Sequence, residues 1–334
     1  MRRRNRYSVA EYIAGIVAND RQILSQAITL VESALPEDQQ LAEELVEGVL
    51  PFTGKSLRVG VSGVPGVGKS TFIDRFGQML VNDGYRVAVL TVDPSSEESK
   101  GSILGDKTRM ENLSTSPNAF IRPSPSSGIL GGVSAKTRET SHLCEAAGYN
   151  VILIETVGVG QSETVVKGMV DFFLLLALAG AGDELQGIKK GIMEMADLIV
   201  INKDDGENRK AVEKAKGELK EALHFFPKKE NGWTTEVFSC SSMLGERLGS
   251  IWNKIKDFEE EMKSNGYFEN NRSLQRVHWM KEQISMLLEM GFYTDKKITE
   301  ELNQMKSRVQ FGEKSALSAA RQLVAKYLAM NSTK

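Results

Sequence analysis

Short, almost wholly apolar runs recur along the middle of the chain, separated by longer stretches with helical spacing. The runs are 57–61, 86–92, 119–122, 151–155, 172–177, 198–202 and 236–240. Strands that are apolar on both faces belong in a sheet covered by helices on each side; a sheet with one wet face would alternate apolar and polar positions. Their alternation with helical stretches predicts an α/β fold with a mostly parallel sheet flanked by helices. Before the first run, residues 8–50 read as helical. Ser8 and Glu11 have the spacing of a capping box, and Val9, Tyr12, Ile13, Ile16 and Val17 follow at helical intervals. Pro36 fits the first turn of a further helix with Leu41, Leu45, Val46 and Val49 on one face.

After Trp252 charged helical patterns take over. One apolar stripe carries Leu274, Val277, Met280, Ile284, Leu287 and Leu288; a second Ile298, Leu302, Met305 and Val309; a third Leu317, Ala320, Leu323, Val324 and Tyr327. A polar helical tail with apolar stripes either packs back on the core or pairs with another subunit, and the second is the expectation here. The division expected is a helical extension over 1–54, a central domain over 55–256 and a C-terminal helical arm, for dimerisation, over 257–334.

Composition narrows the classes. A chain of 334 residues has ample core for one large domain with appendages or for two domains. Lys and Arg number 42 against 44 Asp and Glu, which gives no basic footprint for nucleic acid. The 2 cysteines, Cys144 and Cys240, lie far apart, so no disulfide framework is implied and a reducing compartment fits. The longest apolar run, 172–179, is strand-length and does not span a membrane. The first six residues are basic with no apolar run behind them, which reads against a secretory signal and for a cytoplasmic protein.

The chemistry concentrates at the ends of the runs. Gly63, Val64, Pro65, Gly66, Val67, Gly68, Lys69 and Ser70 fit GxxxxGK[ST], with a strand before them and a helix from Ser70 and Thr71 onward. In that setting backbone N–H groups and a helix N-terminus cradle phosphates, Lys69 reaches the β- and γ-phosphates, and the Ser70 hydroxyl ligates Mg²⁺. Asn202, Lys203 and Asp205 fit NKxD after the run 198–202. Guanine offers N1–H and its 2-amino group on one edge, which a carboxylate accepts together; adenine lacks that edge, so GTP is expected over ATP. Asp204 is the alternative register, and the standard spacing favours Asp205. Ser241, Ser242 and Met243 begin a Ser/Gly loop of the kind that supports guanine. Glu155 ends its run in the place of a Walker B acid, where it can orient Mg²⁺ or its waters, and Gly158 can donate its N–H to the γ-phosphate. Gln161 falls two residues later than a water-orienting Gln would. Asp93 and Asp106 suit a metal shell or a switch, and equally suit solvated loop acids or helix caps.

Taken together these motifs, with 91–96, 101–110, 119–128 and 155–163, resemble the MeaB/ArgK branch of the metallochaperone-type (SIMIBI-like) P-loop GTPases, the methylmalonic aciduria type A family. The resemblance runs from the N-terminal helices to about Trp279. It implies a P-loop NTPase fold and a homodimer. The implied activity is that of a GTP-hydrolysing chaperone, slow alone and stimulated by its partner. That partner is an adenosylcobalamin-dependent acyl-CoA mutase, methylmalonyl-CoA mutase above all, which the chaperone loads, protects and reactivates. It also implies Ser70, Asp93, Asp106 and Glu155 as the Mg²⁺ region, and residues 181–189 as a switch loop with Asp183, Gln186 and Lys189 as its polar members. Lys69, Glu155 and Lys189 are then the catalytic candidates, and GTP, GDP and Mg²⁺ the ligands. Two other readings remain. A metal-delivery GTPase of the same fold group would carry Cys/His clusters, whereas the 2 cysteines and 3 histidines here are scattered. A kinase linked to amino-acid transport would need an acceptor-base motif, and none stands out.

Overall fold

The computed structural model describes residues 6–92, 110–123, 130–156, 162–179 and 190–331. All seven apolar runs are strands: β1 (Leu57–Gly63), β2 (Val87–Val92), β3 (Ala119–Pro123), β4 (Val151–Thr156), β5 (Phe172–Leu178), β6 (Leu198–Asn202) and β7 (Glu236–Ser239). They form one sheet in the order β3-β2-β4-β1-β5-β6-β7, and every pairing between them is parallel. β1 and β4 are buried along their whole length, which is why their sequence shows no alternation.

The helices among the described residues are α1 (Val9–Val17), α2 (Arg21–Val31), α3 (Pro36–Val49), α4 (Lys69–Asn82), α5 (Glu111–Ser114), α6 (Leu130–Ala146), α7 (Ser162–Lys167), α8 (Lys190–Met195), α9 (Arg209–Leu223), α10 (Leu248–Ser264), α11 (Tyr267–Thr294), α12 (Lys296–Gln310) and α13 (Ala316–Asn331). The Ser8–Glu11 capping box closes in both directions at the start of α1, and Pro36 sits at the head of α3. On one face of the sheet, Phe72, Phe76 and Leu80 of α4 pack with Trp252, Ile255 and Phe258 of α10 over Val59, Val61 and Leu174. Phe76 and Tyr85 each meet the Trp252 ring edge-on. Burying a side chain of this size is worth about 1.5–3 kcal/mol, so this layer holds the helix that begins at Lys69.

On the other face, α6 packs against β2 and is covered in turn by α2 and α3. A helix enclosed from both sides has no wet face, and α6 accordingly buries Thr137, Arg138, Ser141 and Glu145 as well as Leu143. Its Glu145 pairs with Arg58 of β1 at 2.6 Å and accepts from the Gly54 N–H at 2.6 Å. Next to it Arg272 of α11 holds both oxygens of Asp171, at 2.8 and 2.7 Å, and donates to the Gly54 carbonyl at 2.8 Å and the Ser56 carbonyl at 2.5 Å.

The chain divides into two compact units, Met1–Gln275 and Arg276–Lys334. In the second, Met305 of α12 packs with Ala319 and Leu323 of α13, joined by Phe292, Leu302 and Val309. The second and third stripes of the tail thus cover each other in part. The first does not: Leu274 of the first unit, and Val277, Met280, Ile284, Leu287 and Leu288 of the second, are exposed.

Candidate functional site

β1 lies between β4 and β5, so its C-terminal end opens at the centre of the sheet, where α/β proteins bind ligands. The chain there turns through Gly63 and Gly68, both at positive φ (154° and 96°). A Cβ on Gly63 would stand 2.6 Å from the Leu176 carbonyl oxygen, and one on Gly68 would stand 2.8 Å from Asn202 Nδ2. Pro65 and Gly66 are exposed while Val67 is buried, which anchors the loop at its middle; Val64 is half-buried and Thr71 exposed. Lys69 opens α4 and is buried. Its ammonium donates to the Gly63 carbonyl at 2.7 Å and the Val64 carbonyl at 3.3 Å. Burial draws its pKa below the ordinary value, against the opposing pull of Glu155 and Glu163. The Ser70 hydroxyl donates to Glu155 Oε1 at 3.2 Å, and the Thr156 hydroxyl donates to Ser62 Oγ at 2.9 Å. The serine and acid that the sequence offers for Mg²⁺ therefore meet, from the head of α4 and the end of β4.

Asn202 joins this loop to the second motif. Its Nδ2 donates to the Val67 carbonyl at 2.8 Å, and its Oδ1 accepts from the Ser242 N–H at 3.1 Å and hydroxyl at 2.7 Å. Lys203, at φ 62°, donates its ammonium to the Gly66 carbonyl at 3.0 Å. The two adjacent aspartates separate. Asp204 is buried and ion-paired with Arg247. Asp205 is half-buried, and its carboxylate accepts from the Ser241 hydroxyl. Met243 is 73% exposed beside it. The Walker loop, the NKxD run and the Ser241–Ser242–Met243 loop thus form one continuous rim across β1, β6 and β7. Asp93, Asp106, Gly158, Gln161, Asp183, Gln186 and Lys189 lie outside the described residues.

The profile for the methylmalonyl Co-A mutase-associated GTPase MeaB matches residues 24–296. This chain belongs to the MeaB family. It is 50% identical over 279 residues to the GTPase ArgK of Escherichia coli, covering 84% of each chain. It is 45% identical over 316 residues to the mitochondrial methylmalonic aciduria type A homolog of Mus musculus, covering 92% of this chain and 76% of that one. A solved structure described as LAO/AO transport system kinase superposes with a TM-score of 0.77 at 39% identity, over 97% of this chain and 99% of that chain. As a MeaB GTPase the protein binds guanine nucleotide and hydrolyses GTP. No described helix is long and apolar enough to cross a membrane.

Two buried acids near the phosphate-loop helix were given no role by sequence reasoning. Glu163 of α7 is buried, 7% exposed, and contributes to the electrostatic environment of Lys69; in the sequence it only closes the run 155–163 that carries the resemblance, with no role of its own. Asp74 of α4 is also buried. It accepts from the Leu113 N–H and from Asn112 Nδ2, both at 2.8 Å, and so fixes α5 against the phosphate-loop helix. Nothing in the pattern distinguishes it from a solvated helical aspartate.

Proposed function

We propose that this protein is a GTP-driven chaperone of an adenosylcobalamin-dependent acyl-CoA mutase, methylmalonyl-CoA mutase first, gating delivery of the cofactor and protecting or reactivating the enzyme. The observation that carries the nucleotide half is the junction at Asn202, which ties the phosphate loop to the guanine-side loop. In this reading the backbone of Gly63–Thr71 and Lys69 hold the phosphates. Asp205 accepts the two guanine donors, with Lys203, Ser241, Ser242 and Met243 around the base. The mutase half is supported by the family to which the chain belongs.

Ser70 and Glu155 bring hard oxygen donors within 3.2 Å of each other, a set that suits Mg²⁺. That ion keeps few protein ligands and completes its shell with phosphate and water. Asp93 and Asp106 join them by resemblance. Bound there, Mg²⁺ would neutralise phosphate charge, while Lys69 orients the β- and γ-phosphates. Slow hydrolysis is expected alone, because no Gln stands at the spacing that positions water. A mutase-induced movement of Asp183, Gln186 and Lys189 would complete the site.

The exposed apolar stripe of α11 supports a homodimer. A cytoplasmic setting accords with two buried free thiols. Burial pushes both up, Cys240 to about 12, which deprives the metal-delivery reading of its softest ligands.

The test is GTP hydrolysis by the purified protein with and without the host's mutase. Stimulation that vanishes in Lys69→Ala and falls in Lys189→Ala supports the reading. Unchanged turnover and no complex on sizing would sink the mutase partner, and label passing from GTP to a transport protein would favour the kinase instead.

A further inference from the structure

β7 ends the sheet beside β6, so its other edge has no neighbouring strand among the described residues. The Cys240 N–H donates to the Ile201 carbonyl of β6 at 2.9 Å. Backbone direction alternates along a strand. Glu236 and Phe238 therefore also address β6, while Val237 and Ser239 turn their N–H and C=O groups to the open edge. Those groups have no hydrogen-bond partner among the described residues. A cavity of about 680 Å³ lies along this edge, with Val237 and Phe238 on one side and Lys216 and Lys220 of α9 on the other. Its foot is preformed, because the connection from α9 to β7 is tied to the start of β6. The Trp233 Nε1–H donates to the Asp197 carbonyl at 2.9 Å, the Thr235 hydroxyl to the Ala196 carbonyl at 2.8 Å, and Lys229 to Asp197 Oδ1 at 2.7 Å.

The charges around the cavity do not balance. Lys229 is engaged by Asp197 and Glu236 by Lys254. Lys216 stands 4.0 Å from Glu213, and Lys220 and Lys228 form no ion pair among the described residues; Glu194 is the acid that faces them. Lys216 and Lys220 are four positions apart on α9, about 6 Å along its axis. Alternate side chains of an extended chain lie about 6.5 Å apart. Since α9 is the crossover between two parallel strands, it runs back alongside them, and its two lysines match acids at every second position of a strand laid on β7.

We propose that the β7 edge is a docking site for an extended acidic segment of a partner polypeptide. The segment adds a strand to the sheet through Val237 and sets alternate carboxylates against Lys216 and Lys220. A second copy of this chain is the poorer occupant, because edge-to-edge pairing brings two rows of the same lysines together. The site lies at the N-terminal end of β7, away from the nucleotide rim at its C-terminal end.

The experiment is fluorescence anisotropy on the full chain with a short, capped, labelled peptide of alternating Glu and Val. It should bind at one saturable site, and an alternating Lys and Val peptide should not. Lys216→Glu combined with Lys220→Glu should weaken binding about tenfold or more in a chain that melts like wild type. Should the double variant not fold, Lys220→Glu alone, at an exposed position, should weaken binding in the same direction. N-methylation separates strand addition from charge alone. Only one set of alternate amides faces β7, so of two peptides methylated at the Glu or at the Val amides, one should lose binding. No saturable binding, equal binding of the Lys and Val peptide, unchanged affinity in the lysine variants, or full binding by both methylated peptides overturns the proposal.

Discussion

Asp204 and Asp205 are neighbours in the chain with different environments. Asp204 is buried against the half-exposed Arg247, and neutralising it removes the charge-assisted contact at the buried end of the pair. Asp204→Asn should therefore lower the melting temperature and barely alter the preference for GTP over ATP. Asp205→Asn should do the reverse, weakening GTP by about 1.5–3 kcal/mol, the worth of a hydrogen bond to a charged group; titration with GTP and ATP alongside thermal melting separates the two. Spacing alone left the register to convention, because which carboxylate is buried depends on Arg247, far along the chain. Gly68 is the other decisive residue. Its positive φ and the 2.8 Å approach of Asn202 leave no room for a methyl group, and a strained position of this kind costs about 1–3 kcal/mol. Gly68→Ala should lose nucleotide affinity on that scale, measured by calorimetric titration, while the far-ultraviolet circular dichroism stays that of the wild type.

At the scale of elements the strands were legible and several helices were not. Every strand run was found within two residues of its ends, because burial on both faces writes a continuous apolar signal. α6 gives no such signal. Helices stand on both of its sides and the sheet behind, so its polar residues are buried and its periodicity is blurred. α7 has only six residues, too few for a period, so the burial of Glu163 could not be read from the run 155–163. The tail stripes were legible as stripes, but periodicity does not say what covers them. In the second unit α12 and α13 cover each other, while Ile284 and Leu287 of α11 stay exposed. On the homodimer proposed above, Leu287→Glu should leave the melting temperature of the chain nearly unchanged and shift its mass on light scattering from dimer to monomer. A dimer that survives would remove the role given to this stripe.

At the scale of the whole molecule, stability rests on buried charges that no local pattern announces. Asp197 is fully buried; burial raises its pKa, but Lys167 and Lys229 outweigh that and hold it below the ordinary 3.8. A carboxylate depressed in the folded state stabilises above its unfolded value, and that stability is lost as pH falls through the folded one. Acid unfolding should steepen below about pH 3.8, and Asp197→Asn should flatten that limb in a pH series of thermal melts while costing stability at neutral pH. Arg272 matters as much. Removing its side chain would leave the buried Asp171 carboxylate with no cation and only the Arg58 N–H as donor, and the Gly54 and Ser56 carbonyls without the guanidinium, so Arg272→Met should destabilise by about 3–5 kcal/mol, read by urea unfolding. These contacts span 101 to 218 positions of chain, which is why the sequence hid them. They also order events during synthesis. The base of β1 and β5 stays open until residue 272 has left the ribosome, long after the phosphate loop has been made. A nascent chain carrying every nucleotide motif is thus still unfinished at its foundation, exposed to chaperones and proteases until the first turns of α11 arrive.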